Sequence, residues 1–176
     1  MTAATTVWTR CATPLGPMVL AADAEGVIGA WFDGQKHFDG PEPDWGRDDA
    51  HPLLCETARQ LEAWFAGRRT GFDLPLAPRG TPFQLAVWHE IARVGQGRTR
   101  SYGEVAQAVG RPTAFRAVGA ATGLNPISLI IPCHRLVGRN GALTGYAGGL
   151  DRKRALLAFE AGQPALWADA TAGVAA

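Results

Sequence analysis

Acidic residues nearly vanish from the second half of this 176-residue chain. Between Arg79 and Arg154 only Glu90, Glu104 and Asp151 face eleven Lys and Arg, a local charge of +8. The first 78 residues are the reverse, with six basic side chains against eleven acids. Glu160 and Asp169 complete the acids, so the whole-chain charge of +1 conceals the split. A basic half is the electrostatic footprint expected for a polyanion. A solvated basic face is the alternative, and charge alone leaves both open.

Cysteine is also scarce. Cys11, Cys55 and Cys133 are odd in number, far apart and without CxxC spacing. This excludes a disulfide framework and a four-cysteine zinc site, and no metal is expected. No apolar run reaches the length of a membrane span. The N-terminal Met1-Thr-Ala-Ala-Thr-Thr-Val-Trp lacks the basic and apolar regions of a signal peptide. A reducing cytoplasm is the expected location. Hydrophobic residues make up 47% of the chain, enough for a core shared between one or two small domains.

What is present falls into two parts. Runs at Thr6–Arg10, Met18–Ala22 and Val27–Phe32 are separated by the turn segments Pro14–Pro17 and Asp23–Gly26. They predict a three-stranded antiparallel meander. Residues 33–51 are rich in Gly, Pro and Asp and read as a loop. Leu54, Ala58, Leu61 and Phe65 recur at helical spacing, predicting an amphipathic helix over Pro52–Phe65. Residues 66–82 read as a linker. The domains expected are 1–78 and 79–162, followed by a flexible tail over 163–176.

The second part is mostly helical. Thr81 before Pro82 predicts a helix start. Ser101 and Glu104 have the spacing of a capping box, predicting a helix over Tyr102–Val109. Gly110-Arg-Pro112 then forms a turn, and Thr113 is expected to cap a helix over Ala114–Leu124. Two short helices around a Gly-containing turn make a helix-turn-helix. Small residues on the second helix would let it approach a neighbouring helix or a DNA groove. A glycine-rich loop surrounds Tyr146, and Asp151 is expected to cap a last helix ending at Ala161.

Between these elements lies Pro132-Cys133-His134-Arg135, after the apolar run Ile127–Ile131. A thiol beside an imidazole is a candidate nucleophile, since the thiolate is the reactive form and cations raise its fraction. Neighbours in a strand point to opposite faces, so the pair can act together only if the backbone turns sharply there. Glu160 is a candidate to orient the imidazole. A buried core thiol is the bland alternative.

The stretches Ser101-Tyr-Gly-Glu, Phe115-Arg-Ala-Val-Gly, Asn125-Pro126, Ile131-Pro-Cys-His-Arg and Gly145-Tyr-Ala-Gly-Gly resemble, in order and spacing, the O6-alkylguanine-DNA alkyltransferases. The resemblance covers roughly residues 80–161. It implies an α/β fold, with a small ribonuclease H-like N-terminal domain and a winged-helix-like domain carrying the helix-turn-helix. Residues 1–78 resemble the former more loosely.

By the same resemblance, Cys133 is the alkyl acceptor. His134 deprotonates it through a bound water, Glu160 holds the imidazole, and Asn125 supports the turn. Tyr102 presses on a phosphate and helps protonate the departing guanine. Arg116 fills the space of the flipped base. Ser101, Tyr102, Thr113, Ala114, Arg116, Ala117 and Arg135 face DNA, and Tyr146, Ala147, Gly148 and Leu136 form the base pocket. The implied partner is double-stranded DNA carrying O6-alkylguanine, with O4-alkylthymine left open. The implied protein is a monomer without cofactor, acting once per molecule, and cooperative binding along DNA is left open. A lesion-binding module without transfer and a Cys-His hydrolase are the competing readings. Ser128 and Thr144, at the pocket wall, depart from the best-known pattern.

Overall fold

The computed structural model describes residues 5–167. Residues 1–4 and 168–176, on which the leader and tail expectations partly rest, lie outside them.

The chain opens with β1 (Val7–Cys11), β2 (Met18–Ala22) and β3 (Val27–Phe32), paired antiparallel in sequence. All five residues of β2 are buried, which makes it the central strand of the core. The expected meander gains a fourth strand. β4 (Gly46–Arg47) lies parallel to β1, giving the order β3-β2-β1-β4. Two residues inside a Gly/Pro/Asp-rich loop carry no alternation, so periodicity could not reveal this strand. α1 (Pro52–Phe65) packs Leu54, Leu61 and Trp64 against the core. Its limits match those read from the spacing of apolar residues.

The outer edge of β3 ties the two halves together. The Val27 N–H donates to the Pro75 carbonyl and the Ala77 N–H donates to the Val27 carbonyl, both at 2.8 Å, so the linker adds to the sheet. At Gly26 a Cβ would fall 2.4 Å from the Pro75 oxygen, so only glycine allows this approach. Further along, Ala30 N–H donates to the Pro126 carbonyl (2.9 Å) and Ser128 N–H to the Ala30 carbonyl (2.8 Å). The chain leading to the cysteine is therefore bonded to the N-terminal sheet.

The second half contains α2 (Pro82–Ala92), β5 (Arg100–Ser101), α3 (Tyr102–Ala108), α4 (Phe115–Gly123), β6 (Leu136–Val137) and α5 (Leu150–Glu160). Capping boxes start α2, at Thr81 and Gln84, and α3, at Ser101 and Glu104. The Trp88 indole donates to the Ala121 carbonyl (2.8 Å), fastening α4 onto α2. β5 and β6 form a two-rung parallel ladder, Arg100 beside Leu136 and Ser101 beside Val137.

Three local expectations are corrected. Ala114, not Thr113, is the N-cap of α4, and it has no side-chain cap, because the Arg111–Ala114 turn consumes the threonine. Gly149, not Asp151, precedes α5, and Asp151 lies in the first turn, paired with Arg154 at 3.1 Å. There its charge still favours the positive helix end. The tail does not loosen at residue 163. Trp167 is 7% exposed, its ring 5.4 Å from Phe65 and 4.9 Å from Phe159.

Candidate active site

The apolar run before the cysteine does not form an extended strand. Leu129 has φ +73°, and Ile131 N–H returns to the Ile127 carbonyl at 2.9 Å. Asn125 is the hub of this loop. Its amide nitrogen donates to the Ile131 carbonyl (2.8 Å), and its oxygen accepts from Ile127 N–H (3.0 Å). After Pro132 the backbone tightens into a single 3-10 turn, Cys133–Arg135. This is the sharp turn required for neighbouring cysteine and histidine to serve one site.

Cys133 is 3% exposed and His134 fully buried. His134 Nε2 lies 2.8 Å from a Glu160 oxygen, reached from α5. A carboxylate there fixes the proton on Nε2 and leaves Nδ1 as the lone-pair nitrogen, a tautomer assigned from the bond. Nδ1 has no hydrogen-bond partner among the described residues. Burial lowers the imidazole's pKa, and Arg135 and Lys153 add to this, outweighing the pull of Glu160. At neutral pH the ring is therefore neutral and able to accept a proton.

Glu160 is held at about 2: burial opposes its charge, but bonds from His134 and Arg135 outweigh it. Arg135 supplies much of this. Its Nε and Nη2 grip the carboxylate at 2.9 and 2.7 Å, and Nη1 donates to the Val94 carbonyl. This corrects the DNA-facing role expected of Arg135. Its side chain is 8% exposed and committed to Glu160, so it does not present its charge to a polyanion.

Burial also raises the thiol of Cys133, while Asn125, Lys153 and local backbone N–H groups work in the opposite direction. Lys153, on α5, was not anticipated. It is fully buried, and its ammonium donates to the carbonyls of Leu136 (2.5 Å) and Thr144 (2.9 Å). Burial lowers it to about 8. A signal existed: on a helix, residue 153 shares a face with Leu156 and Glu160, both buried.

A cavity of about 400 Å³ is walled by Tyr102, by Phe115, Gly119, Thr122 and Gly123 of α4, and by Thr144–Ala147. Lys36 and His37 of the first half also line it. The Tyr146 ring stands edge-on to His134, 6.5 Å between centroids, so the imidazole lies against this wall. The Thr144 hydroxyl makes a long contact to the Tyr102 hydroxyl, 3.4 Å.

Tyr146 and Ala147 line the cavity, but two other expected pocket residues do not. Gly148 sits behind the Tyr146 ring, where a Cβ would come within 2.7 Å of it. Leu136 is fully buried in the ladder with Arg100 and offers only its carbonyl, to Lys153. Ser128 is buried and bonds Gln35, away from the cavity wall that Thr144 joins. On the outer face of the helix-turn-helix, Thr113, Arg116 and Ala117 are exposed, with Ser101, Tyr102 and Ala114 half-buried.

Among the described residues, no helix is long and apolar enough to cross a membrane, and no group of His, Cys, Asp and Glu is arranged to hold a metal.

Comparison with known proteins agrees over both halves. Residues 6–78 match the family model of the 6-O-methylguanine DNA methyltransferase ribonuclease-like domain, and residues 82–162 match that of its DNA-binding domain. A methylated-DNA–protein-cysteine methyltransferase of Methanosarcina acetivorans is 48% identical over 149 residues, covering 84% of this chain and 94% of the relative. A constitutive enzyme of that name from Bacillus subtilis is 40% identical, covering 85% and 92%. The structure of Mycobacterium tuberculosis OGT in complex with DNA superposes with a TM-score of 0.83 at 42% identity, covering 90% and 96%. From its paired domains and its acceptor motif alike, the chain belongs to the 6-O-methylguanine DNA methyltransferase family.

Proposed function

We propose that this protein repairs O6-alkylguanine in double-stranded DNA by taking the alkyl group onto the sulfur of Cys133, once per molecule. The observation that carries this reading is a buried imidazole next to the thiol in the chain, held on one nitrogen by Glu160 and unbonded on the other.

His134 Nδ1 takes the thiol proton through a bridging water, since the two are not in direct hydrogen-bond contact. The sulfur attacks the alkyl carbon, forming the C–S bond as the C–O6 bond breaks, and the electron pair passes to the base. Guanine leaves poorly as an anion, so an acid must give it a proton. In this reading Tyr102 is that acid, and its position in the cavity lining supports the role. Glu160 stabilises the imidazolium. The product is a thioether, which neither imidazole nor carboxylate cleaves, so the reaction stops after one event.

A base inside a duplex cannot reach a thiol that is 3% exposed. It must leave the stack, at about a few kcal/mol. Arg116, exposed near the start of α4, fills the gap, and exposed cations of the basic half bind phosphates without reading sequence. The Tyr146 wall must also yield to admit the base, and Gly145, Gly148 and Gly149 around it give the backbone that freedom. The three free thiols fit a reducing cytoplasm.

The test is incubation with duplex DNA containing O6-methylguanine, followed by mass mapping of the protein. One methyl group on the Cys133 peptide per molecule is expected. Tight binding with an unmodified peptide, or repeated turnover, rules the reading out.

A further inference from the structure

The lesion cavity has a wall that does not come from the acceptor half. Lys36 and His37, beyond the end of β3, line it together with Tyr102, Tyr146 and Ala147. Both residues are themselves exposed, so they form a ridge and not a core plug. The same pair lines a second cavity of about 450 Å³ on the other side, next to Trp31 and Phe38. The ridge therefore separates two hollows.

This ridge is held in place. Gln35, 5% exposed, accepts from the Phe32 N–H (2.9 Å) and from the Ser128 hydroxyl (3.1 Å). Lys36 N–H donates to the Ala147 carbonyl at 3.0 Å, directly onto the loop beside Tyr146. Phe38 lies flat on Trp31, 4.3 Å between ring centroids and 1° from parallel. His37, between these anchors, adopts φ +63°, a left-handed conformation uncommon outside glycine. A strained residue bracketed by anchors, at the rim of a reactive cavity, has its side chain placed by its surroundings.

We propose that Lys36 and His37 are specificity-determining residues, forming the side wall that limits the bulk of the O6 substituent brought to Cys133. This rests on the repair reading above. A methyl group needs no room beyond the base, whereas a planar ring on O6 must fit between the Tyr146 loop and this ridge. One methylene in an apolar pocket changes selectivity by roughly tenfold or more, so a wall of two long side chains suffices for strong discrimination.

The test uses the full chain and two duplexes, one carrying O6-methylguanine and one O6-benzylguanine. Alkylation of Cys133 is timed for wild type, Lys36→Ala, His37→Gly and the double variant. Glycine accepts the left-handed backbone, so His37→Gly keeps the fold. The benzyl-to-methyl rate ratio is expected to rise at least about tenfold in the double variant. A ratio unchanged while wild type is methylated overturns the wall. Equal losses on both substrates also overturn it, since they mark a general positioning role. Failure of wild type to be alkylated by either duplex overturns the repair reading, and this proposal with it.

Discussion

Cys11 and Cys133 begin from the same physical handicap. Burial pushes both thiols up, Cys11 to about 11. Around Cys11, on an outer stretch of β1, the only opposing influence is a backbone bond at Met18. Around Cys133 the opposition is layered: the Asn125 side chain, the Lys153 cation and local backbone N–H groups, with a neutral imidazole next in the chain. The difference shows that low exposure does not make a thiol inert. What separates a packing residue from a nucleophile is whether the fold has placed a proton acceptor and compensating charge within reach.

The largest test of this contrast is removal of the sulfur. Cys133→Ala should abolish alkyl transfer while leaving DNA binding within about twofold in a gel-shift titration. Next comes Glu160→Gln. It leaves the buried Arg135 guanidinium without its counter-charge, which costs about 3 kcal/mol or more in a denaturant titration. It also frees the imidazole tautomer, so transfer should slow at least about a hundredfold. The pH dependence has a defined sign. Glu160 is depressed from 4.5 to about 2, so its stabilisation is complete above 4.5 and is lost as pH falls toward 2. That acid-limb loss should shrink in Glu160→Gln.

A smaller effect is expected at Lys153. Lys153→Met keeps the length and removes the charge that favours the thiolate, so Cys133 should react with iodoacetamide more slowly. In the wild type the cation is lost as pH rises through about 8, so thiol reactivity should show an inflection there that the variant lacks. The smallest effect is Cys11→Ala. Transfer should stay within about twofold of wild type, with about 1 kcal/mol of stability lost to the missing buried atoms. A large loss of transfer there would break the contrast between the two thiols.

The sequence made much of this visible, unevenly. β1, β2, β3 and α1 stand out because turn residues bound their apolar runs. The Ser101/Glu104 capping box is a local code and is found where its spacing put it, and Thr81 caps α2 as expected, with Gln84 completing a box that was not anticipated. The acceptor motif is readable because several short signals recur in order. What escaped depends on distant partners. Arg135 looks like a DNA contact in a basic segment, since nothing nearby reveals that Glu160, 25 residues on, claims it. Lys153 looks solvated because lysine seldom is buried. Lys36 and His37 lie in a loop without periodicity, and only the fold carries them to the cavity.

The two-rung ladder between β5 and β6 has a mechanical meaning. Ser101, on one rung, begins the helix whose first residue is Tyr102, and Leu136, on the other, directly follows the Cys133–Arg135 turn. The ladder thus works as a gauge block between Tyr102 and the Cys133 sulfur. Slipping by a single residue would displace one against the other by about 3.3 Å. Reactions of this kind lose about a hundredfold for an error of 1 Å. Two short pairings therefore set the tolerance of the site, and a substitution that loosens Arg100 or Val137 should reduce transfer with every reactive side chain still in place.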